Sequence, residues 1–173
     1  MRPLHKKKAF SLLELVLVMG ILVVMAGIAL PRFGTAHLRY CVELAARRIA
    51  ADVAYAQSVA RKKSIAQEIV FDQGAETYTF PGIDDVDRAG VDYTVLLSGE
   101  PYGVDVVSVS FENGNGHIGD QRVRFDMWGR PESGDPNQGE AFAPLVDGSI
   151  VIGAGTDTRT VTIAPVTGKV TIQ

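Results

Sequence analysis

The sequence predicts an α+β fold: one long N-terminal helix, half transmembrane and half amphipathic, packed on an antiparallel β-sheet or sandwich domain. Three observations carry this. Residues 10–30 read FSLLELVLVMGILVVMAGIAL, an apolar run with a single ionisable residue, Glu14. Residues 31–63 repeat apolar side chains at spacings of three and four, the helical period. From residue 64 the period changes to two, as in strands. The chain therefore divides into a basic segment 1–9, an apolar helix 10–30, an amphipathic helix 31–63 that continues into the globular domain, and a β-rich domain 64–173.

The first two segments read as a unit. Arg2, Lys6, Lys7 and Lys8 precede the apolar run, and flanking lysines favour a cytoplasmic N-terminus. At about 1.5 Å per residue, a helix over 10–30 spans roughly 30 Å, the thickness of a bilayer core. A carboxylate near the bilayer centre costs about 2.5–3.5 kcal/mol on insertion scales, so Glu14 calls for a partner or a purpose. Three readings compete: an ordinary signal anchor, a secretory signal cut after Ala29, and a leader cut before the apolar run. Gly27 and Ala29 are small, as the second requires. Its apolar region is longer than usual and holds a carboxylate, which counts against it.

Pro31 falls inside the helical pattern, removes one backbone hydrogen bond and predicts a kink. Beyond it, Leu38, Val42, Ala45, Ile49, Val53, Ala56 and Ala60 form the apolar stripe. Arg39, Glu43, Arg47 and Arg61 lie away from the stripe, and Glu43 to Arg47 is a favourable i,i+4 pair. Alanines along the stripe predict close approach of a sheet or another helix. Arg61, Lys62 and Lys63 suit the negative end of the helix.

Eight runs read as strands: 65–71, 76–80, 92–97, 104–111, 122–127, 149–153, 159–164 and 169–172. Val107, Val109 and Phe111 alternate with Ser108 and Ser110. Val123, Phe125 and Met127 alternate with Arg122, Arg124 and Asp126, and Val161 and Ile163 with Thr160 and Thr162. Such alternation predicts antiparallel pairing with one buried face. APVTG between the last two runs predicts a tight hairpin. Trp128–Gly148 lacks a period and is rich in Gly, Pro, Asp and Asn, which predicts a long surface loop.

Charge is unevenly spread. Residues 64–173 hold six basic and seventeen acidic residues, a net −11, on a more basic stalk. That balance does not suit a nucleic-acid partner. The single cysteine, Cys41, excludes an intramolecular disulfide, so the core must hold the domain. Gly114, Gly116 and Gly119 spell G-x-G-x-x-G, but a strand pattern follows where a nucleotide site needs a helix. Asp84, Asp85, Asp87 and Asp92 fail the calcium-loop spacing and read as a solvated acidic loop. His5, His37 and His117 form no catalytic or metal set with the serines and aspartates. No catalytic residue, metal ligand or cofactor is expected.

The string KKKAFSLLEL resembles the type IV prepilin and pseudopilin signature: basic leader, small residue, Phe, Ser or Thr, two aliphatics, Glu. The resemblance implies that a membrane prepilin peptidase cuts between Ala9 and Phe10 and methylates the new amine. The family nearly always has Gly before the cut, where this chain has Ala9. Pro31 stands where long pilin helices often carry proline. Glu14 resembles the carboxylate that pairs with the methylated amine of a neighbouring subunit; two charges costly in lipid become tolerable together. FDMWGRP and the terminal IAPVTGKVTI are similar to the H-type (GspH/FimT) minor pseudopilins. That likeness implies a pilin-like fold, anchored once in the bacterial inner membrane with its C-terminal domain in the periplasm. It implies a subunit of a type II secretion pseudopilus that helps drive protein export. Its partners would be other pilin or pseudopilin subunits, the prepilin peptidase, the inner-membrane assembly platform and the lipid bilayer. A minor type IV pilin for pilus assembly, adhesion or DNA uptake is the alternative, and a non-assembling membrane-anchored periplasmic binding domain a third.

Overall fold

The computed structural model describes residues 11–85, 87–116 and 118–173, with the side chains of 28–35 and 118–120 outside that description. The fold is α+β, a helix on a large antiparallel sheet. Its long helix, α1, covers Leu12–Lys63 and runs unbroken through Pro31. By backbone contacts the chain separates into two units, Met1–His37 and Leu38–Gln173.

In the second unit α1 is amphipathic for the reason its spacing predicts. Val42, Ala45, Ile49, Val53, Ala56 and Ala60 are buried, joined by Cys41 and Ala46. Leu38, the first residue of the predicted stripe, remains partly exposed. Small side chains let the helix backbone approach the sheet closely, and packing there is dense enough that one methylene matters. Arg61, Lys62 and Lys63 occupy the last turn, as charge complementarity to the helix end favours.

Among the described residues ten strands follow: β1 Gln67–Asp72, β2 Thr77–Asp84, β3 Asp92–Leu96, β4 Asp105–Asn113, β5 Ile118–Asp120, β6 Arg122–Phe125, β7 Pro131–Ser133, β8 Ala143–Ala154, β9 Asp157–Ile163 and β10 Val170–Ile172. They connect in the order β10-β9-β8-β7-β6-β1-β2-β3, with β4 on β8 and β5 on β4. Every pairing is antiparallel. The inward residues meet α1 in one core. Phe71 bridges its parts, with ring centroids 5.5 Å from Tyr78 and 5.9 Å from Phe111. The APVTG hairpin closes as its sequence predicts: Ala164 N–H donates to Lys169 O and Gly168 N–H to Ala164 O, both at 2.9 Å.

Three expectations are corrected. Trp128–Gly148 is not a structureless loop: it contains β7, a 3-10 turn at Pro136–Gln138 and the first half of β8. β7 is too short to show a period and is held by its neighbours, pairing Arg124 with Glu132 and Glu132 with Pro144. Val107 is exposed and Val106 is buried, because a bulge between Val106 and Ser108 shifts the register. Met127 is exposed because β6 ends at Phe125 and the chain turns away.

Candidate assembly site

The apolar half of α1 is built from residues that cannot hide one another. Leu15 N–H donates to Ser11 O at 3.1 Å, closing the first turn around Glu14. A surface helix normally buries one apolar stripe. Here Leu12, Leu13, Leu15, Val16, Leu17 and Val18 are exposed, as are Met19, Ile21, Leu22, Val23, Val24 and Met25. These positions cover all sides of the helix. Where Gly20 and Gly27 lack a side chain, nothing lies within 4 Å. Such a cylinder gains burial only from other helices or from lipid. Glu14 makes no ion pair among the described residues.

Ala9 and Phe10 lie outside the described residues, as does the side chain of Pro31. Among the described residues no helix is long and apolar enough to cross a membrane. The apolar stretch with described side chains stops at Gly27, short of the roughly 20 residues a span needs.

The second unit contains a polar cluster that periodicity did not reveal. Asp52 is buried on α1. Arg48 Nε reaches its Oδ2 at 2.9 Å, and Tyr78 O–H donates to the same oxygen at 2.7 Å. Arg48 also donates to the Tyr93 hydroxyl. Burial pushes the Tyr78 phenol well above its ordinary range, and the Asp52 charge and hydrogen bond push it further. Burial also raises Tyr93, with the Asp52 charge adding and Arg48 opposing. For Arg48, burial acts to lower the pKa, but the charge and hydrogen bond of Asp52 outweigh it and hold the guanidinium protonated. The cluster ties α1 to β2 and β3. The only sequence signal was the i,i+4 spacing of Arg48 and Asp52. Beside it lies a cavity of about 270 Å³ lined by Arg48, Asp52, Tyr55, Ile83, Asp84 and Tyr93.

The arginines of the β-domain are neutralised in place. Arg122 reaches Glu68 at 2.7 Å and Asp135 at 3.3 Å. Arg124 pairs with Glu132, Arg130 with Asp126, Arg159 with Glu43 and Arg88 with Asp85. The acidic loop is likewise self-satisfied: Asp85 accepts from Asp87 N–H and Arg88, and Asp92 from Gly82 N–H. Among the described residues no group of His, Cys, Asp or Glu has the arrangement to hold a metal ion. Cys41 is buried. The glycine loop joins β4 to β5, strand to strand, as its sequence predicts. No family model, curated protein or solved structure matches this chain.

Proposed function

We propose that the protein is a pilin-like subunit. It is stored in the bacterial inner membrane by residues 10–30, with its domain in the periplasm, and enters a short filament through its N-terminal helix. The reading taken first is a minor pseudopilin of a type II secretion pseudopilus, which helps drive protein export. The observation that carries it is Glu14. It is a lone carboxylate in the first turn of a helix whose apolar side chains face outward on every side, directly behind the Ala9–Phe10 junction of KKKAFSLLEL. A cationic amine from a neighbouring mature N-terminus would offset its desolvation and set the register of otherwise featureless apolar helices. Neighbouring pilin-like subunits, a prepilin peptidase, the membrane platform and lipid are the partners this role requires.

A minor type IV pilin is the second reading. DNA uptake, its nucleic-acid variant, is disfavoured by the local neutralisation of Arg122, Arg124 and Arg130, because duplex binding draws on uncompensated cations. N-terminal sequencing and mass measurement of the membrane-extracted protein test the assembly reading. A chain beginning at a methylated Phe10 is expected. A start at Leu30 establishes a secretory signal instead, and an intact Met1 a plain anchor.

A further inference from the structure

The second unit treats its cations in two ways. Arg39, Arg47 and Arg48 of α1, and every described arginine beyond residue 64, sit in ion pairs with carboxylates of the chain. Four cations differ: Arg61, Lys62, Lys63 and Lys169 are exposed and make no ion pair among the described residues. The first three close α1, but the dipole of a helix end amounts to only about half a negative charge. Lys169 stands on another element, before β10.

The fold gathers these four at one end of the unit. Gln57 Nε2 donates to Gly129 O in the β6–β7 turn and to Thr167 O in the β9–β10 hairpin, both at 2.7 Å. A Cβ on Gly129 would meet the Arg61 side chain at 2.9 Å, so that cation lies against the turn. Gln67 of β1 pairs with Phe125 of β6, and two residues beyond that pair Ile65 and Met127 emerge at the same edge. Here too are large apolar side chains left in water: Ile65 is 66% exposed, Trp128 65% and Val166 76%, with Met127 exposed beside them. They sit on turn and hairpin tips. Val166 holds φ 67°, a left-handed conformation that β-branched residues rarely adopt, so the hairpin carries an apolar side chain where Gly or Asn would fold with less strain. The Trp128 turn is ordered in advance. Asp126 Oδ1 accepts Trp128 N–H at 2.9 Å and Arg130 N–H at 2.8 Å, and the Arg130 guanidinium stacks 4.8 Å from a ring centroid of the indole. Asp126 and Glu132, the acids of this segment, are already paired with Arg130 and Arg124.

We infer that this end of the domain docks on an anionic phospholipid surface. Trp128, Val166, Ile65 and Met127 enter the headgroup layer, while Arg61, Lys62, Lys63 and Lys169 meet lipid phosphates. A bilayer interface is the medium that takes tryptophan, apolar tips and basic side chains together. Each basic residue held near an anionic surface strengthens binding about five-fold. Because the turn and hairpin are ordered before contact, little is lost in ordering them on docking. A nucleic-acid duplex would draw on the same cations but leave the apolar tips in water. The docking goes beyond the assembly reading and holds whether or not subunits pair through Glu14.

Trp128 is the only tryptophan of the chain, so its emission reports on this surface alone. The full chain is held in nanodiscs of pure phosphatidylcholine, which cover its apolar helix, and titrated with vesicles bearing brominated acyl chains. Vesicles with about 30% phosphatidylglycerol should shift the emission to the blue and quench it, and pure phosphatidylcholine vesicles should act at least ~ten-fold more weakly. Salt at about 0.5 M should reverse the quenching. Lys62→Gln, Lys63→Gln and Lys169→Gln together should weaken vesicle binding roughly a hundred-fold. Val166→Asn should weaken it several-fold without lowering the unfolding midpoint, because Asn tolerates the left-handed conformation. Absent quenching, equal quenching by both vesicle types, or binding indifferent to the lysine variant each overturn the docking. A short DNA duplex that binds more tightly than the vesicles, with the same lysine dependence, assigns the patch to nucleic acid and overturns it as well. None of these outcomes alters where the N-terminus is cut, so the two readings stand or fall separately.

Discussion

Along α1, Leu12–Met25 keeps its apolar side chains exposed on every side, whereas Cys41–Ala60 buries a face of alanines and β-branched residues against the sheet. Its carboxylates follow the same division. Asp52 is buried and answered within the chain by Arg48 and Tyr78. Glu43 is half exposed and shared between Arg47 at 2.8 Å and Arg159 at 3.2 Å. Glu14 has no such answer among the described residues. The difference teaches where the selective pressure on each half resides. The second half is constrained by its own sheet. The first is constrained by whatever surrounds it, and its sequence makes physical sense only with that environment supplied.

The sharpest way to break this comparison is to cut the same kind of side chain from both halves. Ile49→Ala should lower the stability of the globular unit by about 2–5 kcal/mol, through lost burial and a cavity. Leu17→Ala should leave that unit unchanged. Urea unfolding of both variants in detergent measures the contrast, and a comparable loss from Leu17→Ala would show the two halves to be energetically one.

The carboxylates give the next contrast. Asp52→Ala should cost about 1–3 kcal/mol, since it leaves the buried Tyr78 hydroxyl without its acceptor. Glu14→Ala should cost the globular unit nothing and, on the proposed membrane-anchored reading, leave insertion intact, because the run becomes more apolar. In the proposed assembly, crosslinking to neighbouring pilin-like subunits should fall in the Glu14 variant. Unchanged crosslinking would remove the role assigned to it.

Gln57→Ala probes the polar flank of the second half. Two hydrogen bonds from one amide are lost, and with them about 1–2 kcal/mol and the hold on both loops. Faster amide exchange at Gly129 and Gly168 would be the local sign. Smallest is a pH effect. Side-chain hydrogen bonds from Arg47 and then Arg159 lower the Glu43 pKa, with burial opposing. Its folded value lies below its unfolded one, so its contribution is whole above about pH 4.3 and is lost as pH falls through the lower folded value. Glu43→Gln should flatten that part of the acid limb in urea midpoints taken from pH 7 to pH 3. An unchanged limb would mean that Glu43 behaves like the solvent-facing carboxylates.

Legibility in the sequence followed the range of the interactions. The stripe Val42–Ala60 and the alternation of Val161 and Ile163 were readable because each residue's fate depends on its own period. The fate of Val107 depended on a bulge against β8, and that of Met127 on where β6 stops, neither of which is local. β7 exists only because β6 and β8 flank it. Among site residues, Glu14 stood out through contrast with its immediate neighbours. Ala9 and Phe10 rest on the leader motif alone and lie outside the described residues. Asp52 was hidden because Tyr78 and Tyr93 reach it from other elements. The Trp128 turn had a local cue, Asp126 followed three residues later by Gly129, that a search for strands passes over.

β8 gives the sheet a property that none of its shorter strands could. Its first residues, Ala143 and Pro144, pair with β7, while Leu145–Gly153 pairs with β4 along one edge and Ser149–Ala154 with β9 along the other. The strands on either side thus share a single spine as well as a common core. Peeling one group away exposes the backbone of the other, so partial opening stops at the hairpin tips. Amides in the middle of β8 should therefore exchange only when the whole sheet comes apart, and heat should melt the ten strands in one transition.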